Sequence, residues 1–550
     1  MASFKRLALI LMTSCAGAAL SACDGANDIA SPGTGGNVII NNPAPTPAPT
    51  PTPTPTATLV TPAGGCPTIA DPKGLTDDQT ITGPTGTWRV CTLPSIISRS
   101  IELPKIAGVV YQIKGRVDVG CDSGFSTPTT GAPRTSSTVG CTAANGFTLT
   151  GGQLTADTNV TLTIQPGVIL YGGTGTSWLA VNRGNKINAV GTASAPIIFT
   201  SRDNVIGAVS DTSYGQWGGV VLMGRGRITD CNSGSTGGNT CERQTEGSAD
   251  PATFGGTEDA YNAGSMKYVQ IRYSGYVLGA NTELQALTAE GIGSGTTLDY
   301  VQSHNSSDDG MEFFGGTVRF KHYIATGADD DSLDIDTGLQ GLFQYVLLVQ
   351  RTGQGDALME VDSNGNEGDT PRQVTKVANF TAIQSQSSSN NDANDQASIL
   401  LRGNADLTLV NGLVISPNNE CLRMNGSGTT PATLTARSVA LQCNATKYLG
   451  TGTYTAAQVA TAFGAGANNN TDSFVNTLAT LFVNGTAETA VTAIDPKTVD
   501  TTGFFDTTTW IGAVRNAQDT WYAGWTCNSG YAAFDNATVA GRSCTSLPTT

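Results

Sequence analysis

One short sequence pattern occurs three times in succession between residues 287 and 357 and begins a fourth time at 358. The copies are LTAEGIGSGTTLDYVQSHNSSDDG, MEFFGGTVRFKHYIATGADDDS, LDIDTGLQGLFQYVLLVQRTGQGDA and the partial LMEVDSN. Each complete copy has 22 to 25 residues, a period that is typical of solenoids. A single coil of this length cannot bury its apolar side chains, whereas stacked coils share a continuous core. The sequence therefore predicts an all-β chain that folds as a right-handed parallel β-helix.

Apolar residues recur at equivalent positions of the copies. Because side chains alternate along a strand, two such columns are predicted to face the core. Their members are Met311, Leu333 and Met359 in one column and Phe313, Ile335 and Val361 in the other. A polar column is predicted in the later strands, where stacked side chains would satisfy one another along the axis. Its members are Gln344, Asn379, Asn411 and Ser438.

The β-helix is predicted over residues 151–445, with smaller regions on either side. Residues 63–150 are expected to form a disulfide-containing N-terminal cap region. Residues 446–550 are expected to form a small mixed cap over the open end of the solenoid, with helix within 456–482. Charged residues are only 13% of the chain and glycines number 67, which favours short strands joined by tight turns.

The N-terminus has the pattern of an export signal. Residues 1–22 combine a basic start, an apolar run and small residues, which predicts a signal peptide. The sequence LSAC at 20–23 is similar to a bacterial lipobox, so Cys23 is predicted to carry lipid and to anchor the chain to a membrane. Residues 23–62 are interpreted as a Pro/Thr-rich linker, extended by PAPTPAPTPTPTPT at 43–56. We expect a lipoprotein of the outer membrane and cell surface, or a secreted one.

Ten cysteines remain after Cys15 and Cys23 are set aside. An even number in an exported chain indicates disulfides. The simplest connectivity joins sequence neighbours, because each bond then closes a short loop. The predicted pairs are Cys66 with Cys91, Cys121 with Cys141, Cys231 with Cys241, Cys421 with Cys443, and Cys527 with Cys544. Zinc is disfavoured, since the sequence lacks Cys-x-x-Cys and has only two histidines.

The balance of charge restricts the classes of partner. The chain has 29 basic and 44 acidic residues, a net charge of −15. This charge argues against nucleic acid and against anionic membrane surfaces as binding partners. Cations, glycans and basic proteins remain compatible with it.

Carboxylates recur between the core columns and in the turns that precede the strands. Glu290, Glu312, Asp334 and Glu360 are expected to align in successive coils. Carboxylates stacked at the strand spacing of about 4.8 Å repel one another. A hard cation such as Ca²⁺, which binds carboxylate oxygens, would relieve that repulsion. The predicted metal ligands are Asp308, Asp309, Glu312, Asp330, Asp331, Asp334, Asp336, Glu360 and Asp362.

Two alternatives remain open for these carboxylates. They can form a solvated face that pairs with Arg319, Lys321 and Arg351, and turn aspartates commonly bond to the backbone. They can also act as acid and base in a carbohydrate-active β-helix enzyme. The sequence identifies no catalytic residue for that role. His304 and His322 are interpreted as ordinary coil residues.

Several phrases of the chain carry a family resemblance. They are TLTIQPGVIL, GTASAPIIFTS, YGQWGGVVLMGRG, TFGGTEDAYNAGSMKYVQIRYSG, DDGMEFFGGTVRFKH, ADDDSLDIDTG and WYAGWT. Between about residues 150 and 530 the chain resembles a family of exported Gram-negative β-helix lipoproteins, some of which occur beside TonB-dependent receptors. The resemblance implies a parallel β-helix and a surface location. It implies no catalytic residue.

These observations favour a cell-surface or secreted lipoprotein that acts as a binding or scaffold module stabilised by Ca²⁺. A glycan or an outer-membrane receptor is its expected partner, and catalysis is not expected. The alternatives are a carbohydrate-active β-helix enzyme, either polysaccharide lyase or hydrolase, and a type II-secreted lipoprotein that assists nutrient scavenging.

Overall fold

The computed structural model describes residues 58–549, apart from 175, 238, 247, 249, 280–281, 364–367, 388–395 and 427–429. The predicted signal peptide, the lipidated Cys23 and the linker as far as residue 57 lie outside the described residues, so these remain predictions. In the part of the chain that is described, no helix combines the length and the apolar character that crossing a membrane requires.

Short strands dominate the described chain. Those of the first half are β1 (Thr76–Gly83), β2 (Gly86–Thr92), β3 (Ile96–Ile97), β4 (Ile101–Leu103), β5 (Val109–Ile113), β6 (Arg116–Val119), β7 (Thr161–Ile164), β8 (Ile169–Gly172), β9 (Trp178–Val181), β10 (Lys186–Val190), β11 (Ile197–Ser201), β12 (Val220–Met223), β13 (Arg243–Gln244), β14 (Thr253–Phe254), β15 (Gly264–Arg272) and β16 (Val277–Gly279). Those of the second half are β17 (Thr282–Glu283), β18 (Leu287–Glu290), β19 (Thr297–His304), β20 (Met311–Phe314), β21 (Thr317–Thr326), β22 (Asp334–Asp336), β23 (Gln340–Val349), β24 (Met359–Val361), β25 (Gln373–Ile383), β26 (Ile399–Leu401), β27 (Ala405–Ser416), β28 (Leu422–Gly426), β29 (Thr433–Cys443), β30 (Tyr448–Gly452), β31 (Cys527–Asn528) and β32 (Arg542–Ser543). The α-helices are α1 (Arg202–Ile206), α2 (Ala456–Phe463) and α3 (Thr486–Ala490).

Two long sheets form the body of the molecule. Sheet one has the order β1-β2-β5-β8-β11-β15-β19-β21-β23-β25-β27-β29, with β4, β7 and β10 attached beside it. Sheet two has the order β3-β6-β9-β12-β18-β20-β22-β24-β26-β28-β30. From β15 onward, successive coils add one strand to each sheet, and the neighbours are parallel. The prediction of a parallel β-helix is confirmed.

The parallel ladders begin before the predicted boundary at residue 151. β2 already pairs with β5 in parallel, Arg89 lying opposite Val109, and β6 pairs with β9. Residues 63–150 therefore contribute coils to the solenoid as well as a disulfide-linked loop. The sequence did not predict these early coils because they lack the sequence repeat of the later coils. At the other end, β30 extends sheet two to Gly452.

The core lies between the two sheets, as the apolar columns predict. Phe313 lies opposite Ile335, which lies opposite Val361, and all three are fully buried. Burying side chains of this size stabilises a fold by about 1.5–3 kcal/mol each. Stacking of equivalent apolar residues thus supplies the core in every coil, because neighbouring strands are one repeat apart in sequence.

A column of left-handed residues runs along sheet one. Its backbone φ values lie between 51° and 62°, and its members are Tyr268, Tyr300, His322, Tyr345, Asn379, Asn411 and Ser438. The residues before and after each column member are paired with the corresponding residues of the next strand. Each column member therefore lies opposite the next one. By register, Gln344 lies opposite Ala378, and Tyr345 takes the column position opposite Asn379. The predicted bonding along the axis is nevertheless present, because Gln344 Nε2 donates to Asn379 Oδ1 at 3.3 Å. Residues other than glycine seldom adopt a left-handed backbone, and the sequence pattern did not predict this column of left-handed residues.

The C-terminal region covers the solenoid differently from the prediction. Helix α2 lies within the predicted segment 456–482; it begins after the Thr455 cap and ends before Gly464, whose φ is 67°. Val459 and Phe463 of α2 join the core and close the last coil. The residues that follow, which we call the strap (residues 494–547), run back along the outer face of sheet one.

Side chains of sheet one hold the strap by hydrogen bonds to its backbone. Asn411 Nδ2 donates to the carbonyl of Ile494, and Asn379 Nδ2 donates to that of Trp510. Nearer the N-terminal coils, Gln302 Nε2 donates to the carbonyl of Cys527. The aromatic tail is thus a lateral cover and not an end cap, since its contacts move toward earlier coils as the chain proceeds.

The five predicted disulfides are present with the predicted partners. They are Cys66–Cys91, Cys121–Cys141, Cys231–Cys241, Cys421–Cys443 and Cys527–Cys544. Their loops span 10 to 25 residues. Closing loops of this length stabilises a fold mainly by restricting the unfolded chain.

Candidate metal centre

The predicted acidic ladder lies on the outward side of sheet two. Glu312 of β20 lies opposite Asp334 of β22, which lies opposite Glu360 of β24. Because side chains alternate, the residues that follow them, such as Phe313, point into the core while the carboxylates point outward. Three coils therefore place acidic groups about 4.8 Å apart in one row.

Glu290 is not part of this row, contrary to the prediction. Thr288 lies opposite Glu312, whereas Glu290 lies opposite Phe314. The first repeat is two residues longer than the second, so counting back by one short repeat gave the wrong partner. Glu290 is fully buried, and Thr245 Oγ1 donates to its Oε2 at 2.7 Å. Burial raises the pKa of Glu290 to about 8.

The turns before the strands add a second row of carboxylates. Asp309 Oδ1 accepts a hydrogen bond from the backbone N–H of Asp331 at 2.9 Å. Asp331 Oδ1 accepts in the same way from the N–H of Ala357 at 2.6 Å. Gln285 Nε2 donates to Asp308 Oδ2 at 3.1 Å. One oxygen of Asp309 and one of Asp331 therefore order the next turn, as expected of aspartates at such positions.

Two groups of carboxylates converge closely enough to hold a cation. Asp308, Asp309 and Asp330 form one group, and Asp309, Glu312 and Asp334 form the other. Within each group, one oxygen per residue lies within 4.8 Å of the others. Asp309 belongs to both, so the two groups are adjacent. Of the nine predicted metal ligands, these groups bring together five.

Burial and mutual repulsion disfavour the ionised form of these carboxylates when no cation is bound. Burial is the main cause that raises the pKa of Asp309, Glu312 and Asp334 well above the ordinary range. Neighbouring charges add to it: Asp334 raises the pKa of Glu312, and Asp336 raises that of Asp334. The pKa values of Asp308, Asp331 and Asp336 are raised for the same reasons. A divalent cation would let the cluster ionise.

The carboxylates line an open cleft of about 670 Å³. Its acidic residues are Glu246, Glu283, Asp308, Asp309, Glu312, Asp329, Asp330, Asp331, Asp334, Asp336, Asp356, Glu360 and Asp362. All nine predicted metal ligands are among them. Glu246 and Glu283 were missed, because the turn that holds Glu246 and the short strand β17 that holds Glu283 lie outside the repeated pattern and carry no periodic signal.

Arg402 is the basic residue of this cleft. Its Nη1 lies 3.0 Å from Glu360 Oε1 and 2.9 Å from Asp362 Oδ2. Two of the three basic residues that were considered as partners of these carboxylates, Lys321 and Arg319, bind elsewhere. Lys321 pairs with Asp506 of the strap at 2.8 Å, and Arg319 donates to the backbone carbonyls of Val318 and Gln340. Arg351 does reach the margin of the cleft, where it pairs with Asp329 at 2.9 Å.

The donor set fits a hard cation. It consists of carboxylate oxygens, which Ca²⁺ binds in sets of six to eight together with carbonyls and water. Both histidines lie elsewhere: His304 is buried beside Thr326, and His322 pairs with Asp299 on sheet one. The arrangement therefore suits a hard cation such as Ca²⁺, Mg²⁺ or Mn²⁺ better than a metal that prefers nitrogen or sulfur ligands.

Comparison with known proteins identifies the family of this chain. The model of a family described as the pectate-lyase-like β-helix domain matches residues 134–526, more than half of the chain. No curated protein shows significant similarity to the chain. No solved structure does either.

Proposed function

We propose that this chain, which belongs to the family of proteins with a pectate-lyase-like β-helix domain, is a binding module whose acidic cleft holds Ca²⁺. The family is compatible with proteins that act on or bind carbohydrate. A cleft lined by so many carboxylates would repel an acidic glycan directly. Bound calcium reverses that effect, because a cation can be shared between protein and ligand carboxylates.

The observation that carries the proposal is the pair of adjacent carboxylate groups that share Asp309. Holding these side chains together costs free energy through desolvation and repulsion. Part of that cost is offset by the hydrogen bonds that Asp309 and Asp331 accept. Calcium bound by the carboxylate oxygens would offset more of that cost.

A surface location is part of the proposal. Lipid at Cys23 and the Pro/Thr-rich linker would hold the binding domain away from an outer membrane. The five disulfides support an oxidising compartment. A scaffold that presents glycan to an outer-membrane receptor of the TonB-dependent kind is the role that these features favour. A type II-secreted form that assists nutrient scavenging predicts the same domain in the medium, and cell fractionation separates the two.

Thermal unfolding tests the calcium site. A chelator should lower the melting temperature of the parent protein and added calcium should restore it, because a ligand bound only by the folded state stabilises that state. Replacing Asp309→Asn and Asp334→Asn together should abolish the calcium response. Both asparagines keep an acceptor oxygen, so the calcium-free fold should be preserved.

Asp203→Asn is the control, because it removes a carboxylate of helix α1 whose side chain is 40% exposed and which lies outside the cleft. Its calcium response should equal that of the parent. Calorimetry that detects no binding at about millimolar calcium, the weak end of the range for extracellular sites, would exclude the proposal.

Catalysis on a carbohydrate is the second candidate, and Arg402 is the observation that favours it. The Arg402 guanidinium would provide a positive charge beside a bound glycan. The neighbouring carboxyl groups, whose pKa values are raised, would provide proton donors for the reaction. Incubation with a panel of polysaccharides, followed by assays for new reducing ends and for unsaturated sugars, distinguishes hydrolase and lyase from a binding module. Activity that disappears in Arg402→Gln would favour the enzyme.

A further inference from the structure

A second cleft, of about 450 Å³, lies between sheet one and the strap. Its walls include four aromatic side chains: His322 and Tyr345 from the left-handed column, and Trp510 and Trp521 from the strap. It shares no lining residue with the acidic cleft. A ligand of this cleft would therefore bind independently of calcium.

The aromatic members of the column form a continuous stack. Ring centroids are 4.4 Å apart for Tyr268 and Tyr300, 4.0 Å for Tyr300 and His322, and 4.8 Å for His322 and Tyr345. The stack ends at Tyr345, because the next coil has Asn379 in the column. Tyr345 is thus the terminal ring of the stack and lies at the wall of the cleft.

Packing against the strap explains why Tyr268 and Tyr300 are aromatic, but it does not explain why Tyr345 is. Tyr268 and Tyr300 make edge contacts with the buried Trp525, at 6.1 and 5.8 Å. Within the described chain, the one ring contact of Tyr345 is with His322. The column does not require an aromatic residue here, since the next two coils use asparagine, which tolerates a left-handed backbone. The half-buried ring of Tyr345 therefore leaves an aromatic surface in the cleft.

The strap side of the cleft is held in place. The indole N–H of Trp521 donates to the carbonyl of Ala513 at 3.0 Å, and its ring lies 5.0 Å from that of His322. The guanidinium of Arg515 lies over the Trp510 ring at 5.3 Å. These contacts orient aromatic and polar groups before any ligand enters, which reduces the entropy that binding would cost.

The charges of the cleft are balanced. Asp506 pairs with Lys321 at 2.8 Å and accepts a hydrogen bond from the Tyr345 hydroxyl at 3.2 Å. Asp519 accepts from the backbone N–H of Arg515, whose side chain supplies a second positive charge. Asp506 and Asp519 are the acids of the cleft wall and Arg515 is a base of it, while Lys321 beside the wall pairs with Asp506, so the cleft carries little net charge. Asp506 remains 54% exposed and can accept hydrogen bonds from a hydroxyl.

We propose that this aromatic cleft binds the pyranose ring of an uncharged glycan. Sugar rings present C–H groups on their faces, and these pack on the negative face of an aromatic ring. Their hydroxyls match the carboxylate, amide and guanidinium groups of the rim. The volume is within the range of small-ligand sites, about 300–1,000 Å³.

Quenching of tryptophan fluorescence tests the proposal, because Trp510 and Trp521 both line the cleft. The full chain is titrated with cello-, xylo-, manno-, malto- and laminari-hexaose, with and without EDTA. At least one of them should bind in both conditions. Binding that EDTA removes, or no response to any probe at about 10 mM, would overturn the proposal.

Tyr345→Asn is the informative variant. It removes the ring and keeps a residue type that the same column uses at Asn379 and Asn411. Affinity should fall by at least about tenfold. Tyr268→Asn is the matched control, since it changes the other end of the same stack, outside the cleft, and should bind as the parent does. Equal effects of the two substitutions would contradict the assignment.

Gln518→Ala covers the possibility that Tyr345→Asn does not fold. Gln518 is an exposed residue of the cleft wall on the strap. Its truncation should weaken glycan binding and leave the melting temperature of the protein unchanged. Unchanged affinity in this folded variant, together with loss of folding in Tyr345→Asn, would also overturn the proposal.

Discussion

Asp309 and Asp331 are joined across two successive coils by a hydrogen bond of 2.9 Å, from the backbone N–H of Asp331 to Asp309 Oδ1. Asp331 repeats the arrangement one coil later with the N–H of Ala357. Each aspartate therefore has one oxygen that orders the next turn. The same residues line the acidic cleft. Each of these two aspartates thus combines a structural role with the proposed role in calcium binding, and substitutions that separate the two roles are informative.

Asp331→Ala and Asp331→Asn should differ in stability. Alanine leaves the buried N–H of Ala357 without its acceptor, which costs about 1–3 kcal/mol of unfolding free energy. Asparagine keeps an oxygen acceptor and removes one of several repelling charges. We expect urea unfolding without calcium to show a clear loss for Asp331→Ala and little or no loss for Asp331→Asn. Equal losses would mean that the hydrogen bond does not stabilise the turn.

Stability without calcium should fall as pH rises. The folded-state pKa values of Asp309, Glu312 and Asp334 are raised by burial and by one another, whereas the unfolded values are about 4. The folded state therefore binds more protons above pH 4, and stability is lost as pH rises toward the folded-state pKa values. Melting temperatures across pH 4–8 in chelator should decline. Calcium should flatten that decline, and a profile that calcium leaves unchanged would argue against the site.

Glu290→Gln should change the pH profile without changing the calcium response. The pKa of Glu290 is raised to about 8 by burial, so this group favours the folded state below its unfolded pKa of about 4.3 and loses that contribution as pH rises toward 8. Glutamine keeps an acceptor for Thr245 and does not ionise. We expect the variant to gain stability relative to the parent at pH 8. Calorimetric titration should show parental calcium binding, because Glu290 lies outside both carboxylate groups.

Phe313→Ala should destabilise the solenoid strongly. Phe313 is fully buried and contacts the rings of Phe320 and Phe343, with centroids 6.2 and 5.3 Å away. Removing a buried phenylalanine typically costs about 3–5 kcal/mol. Urea unfolding measures the loss. Val190→Ala, at a position that is 40% exposed, is the control and should change stability little.

The repeats made a large part of the fold predictable. Glu312, Asp334 and Glu360 were placed in one row from sequence alone, and the structure agrees. The disulfide partners were also predicted, since each bond closes a short local loop. Both inferences depend on residues that are neighbours in sequence or one repeat apart. The same counting misplaced Glu290 where a repeat gained two residues, and misplaced Gln344 where the backbone turns left-handed.

The sequence by itself determined that the chain stacks coils, which residues form the core, and that carboxylates gather on one side. These follow from periodicity, because adjacent strands of a parallel β-helix are consecutive coils. Only the tertiary structure decided which groups complete the clefts. Arg402, Glu246 and Glu283 reach the acidic cleft from segments outside the repeats, and Trp510 and Trp521 reach the aromatic cleft although they follow Tyr345 by 165 and 176 residues. Such contacts depend on where loops and the strap fold back, and no local period encodes that path.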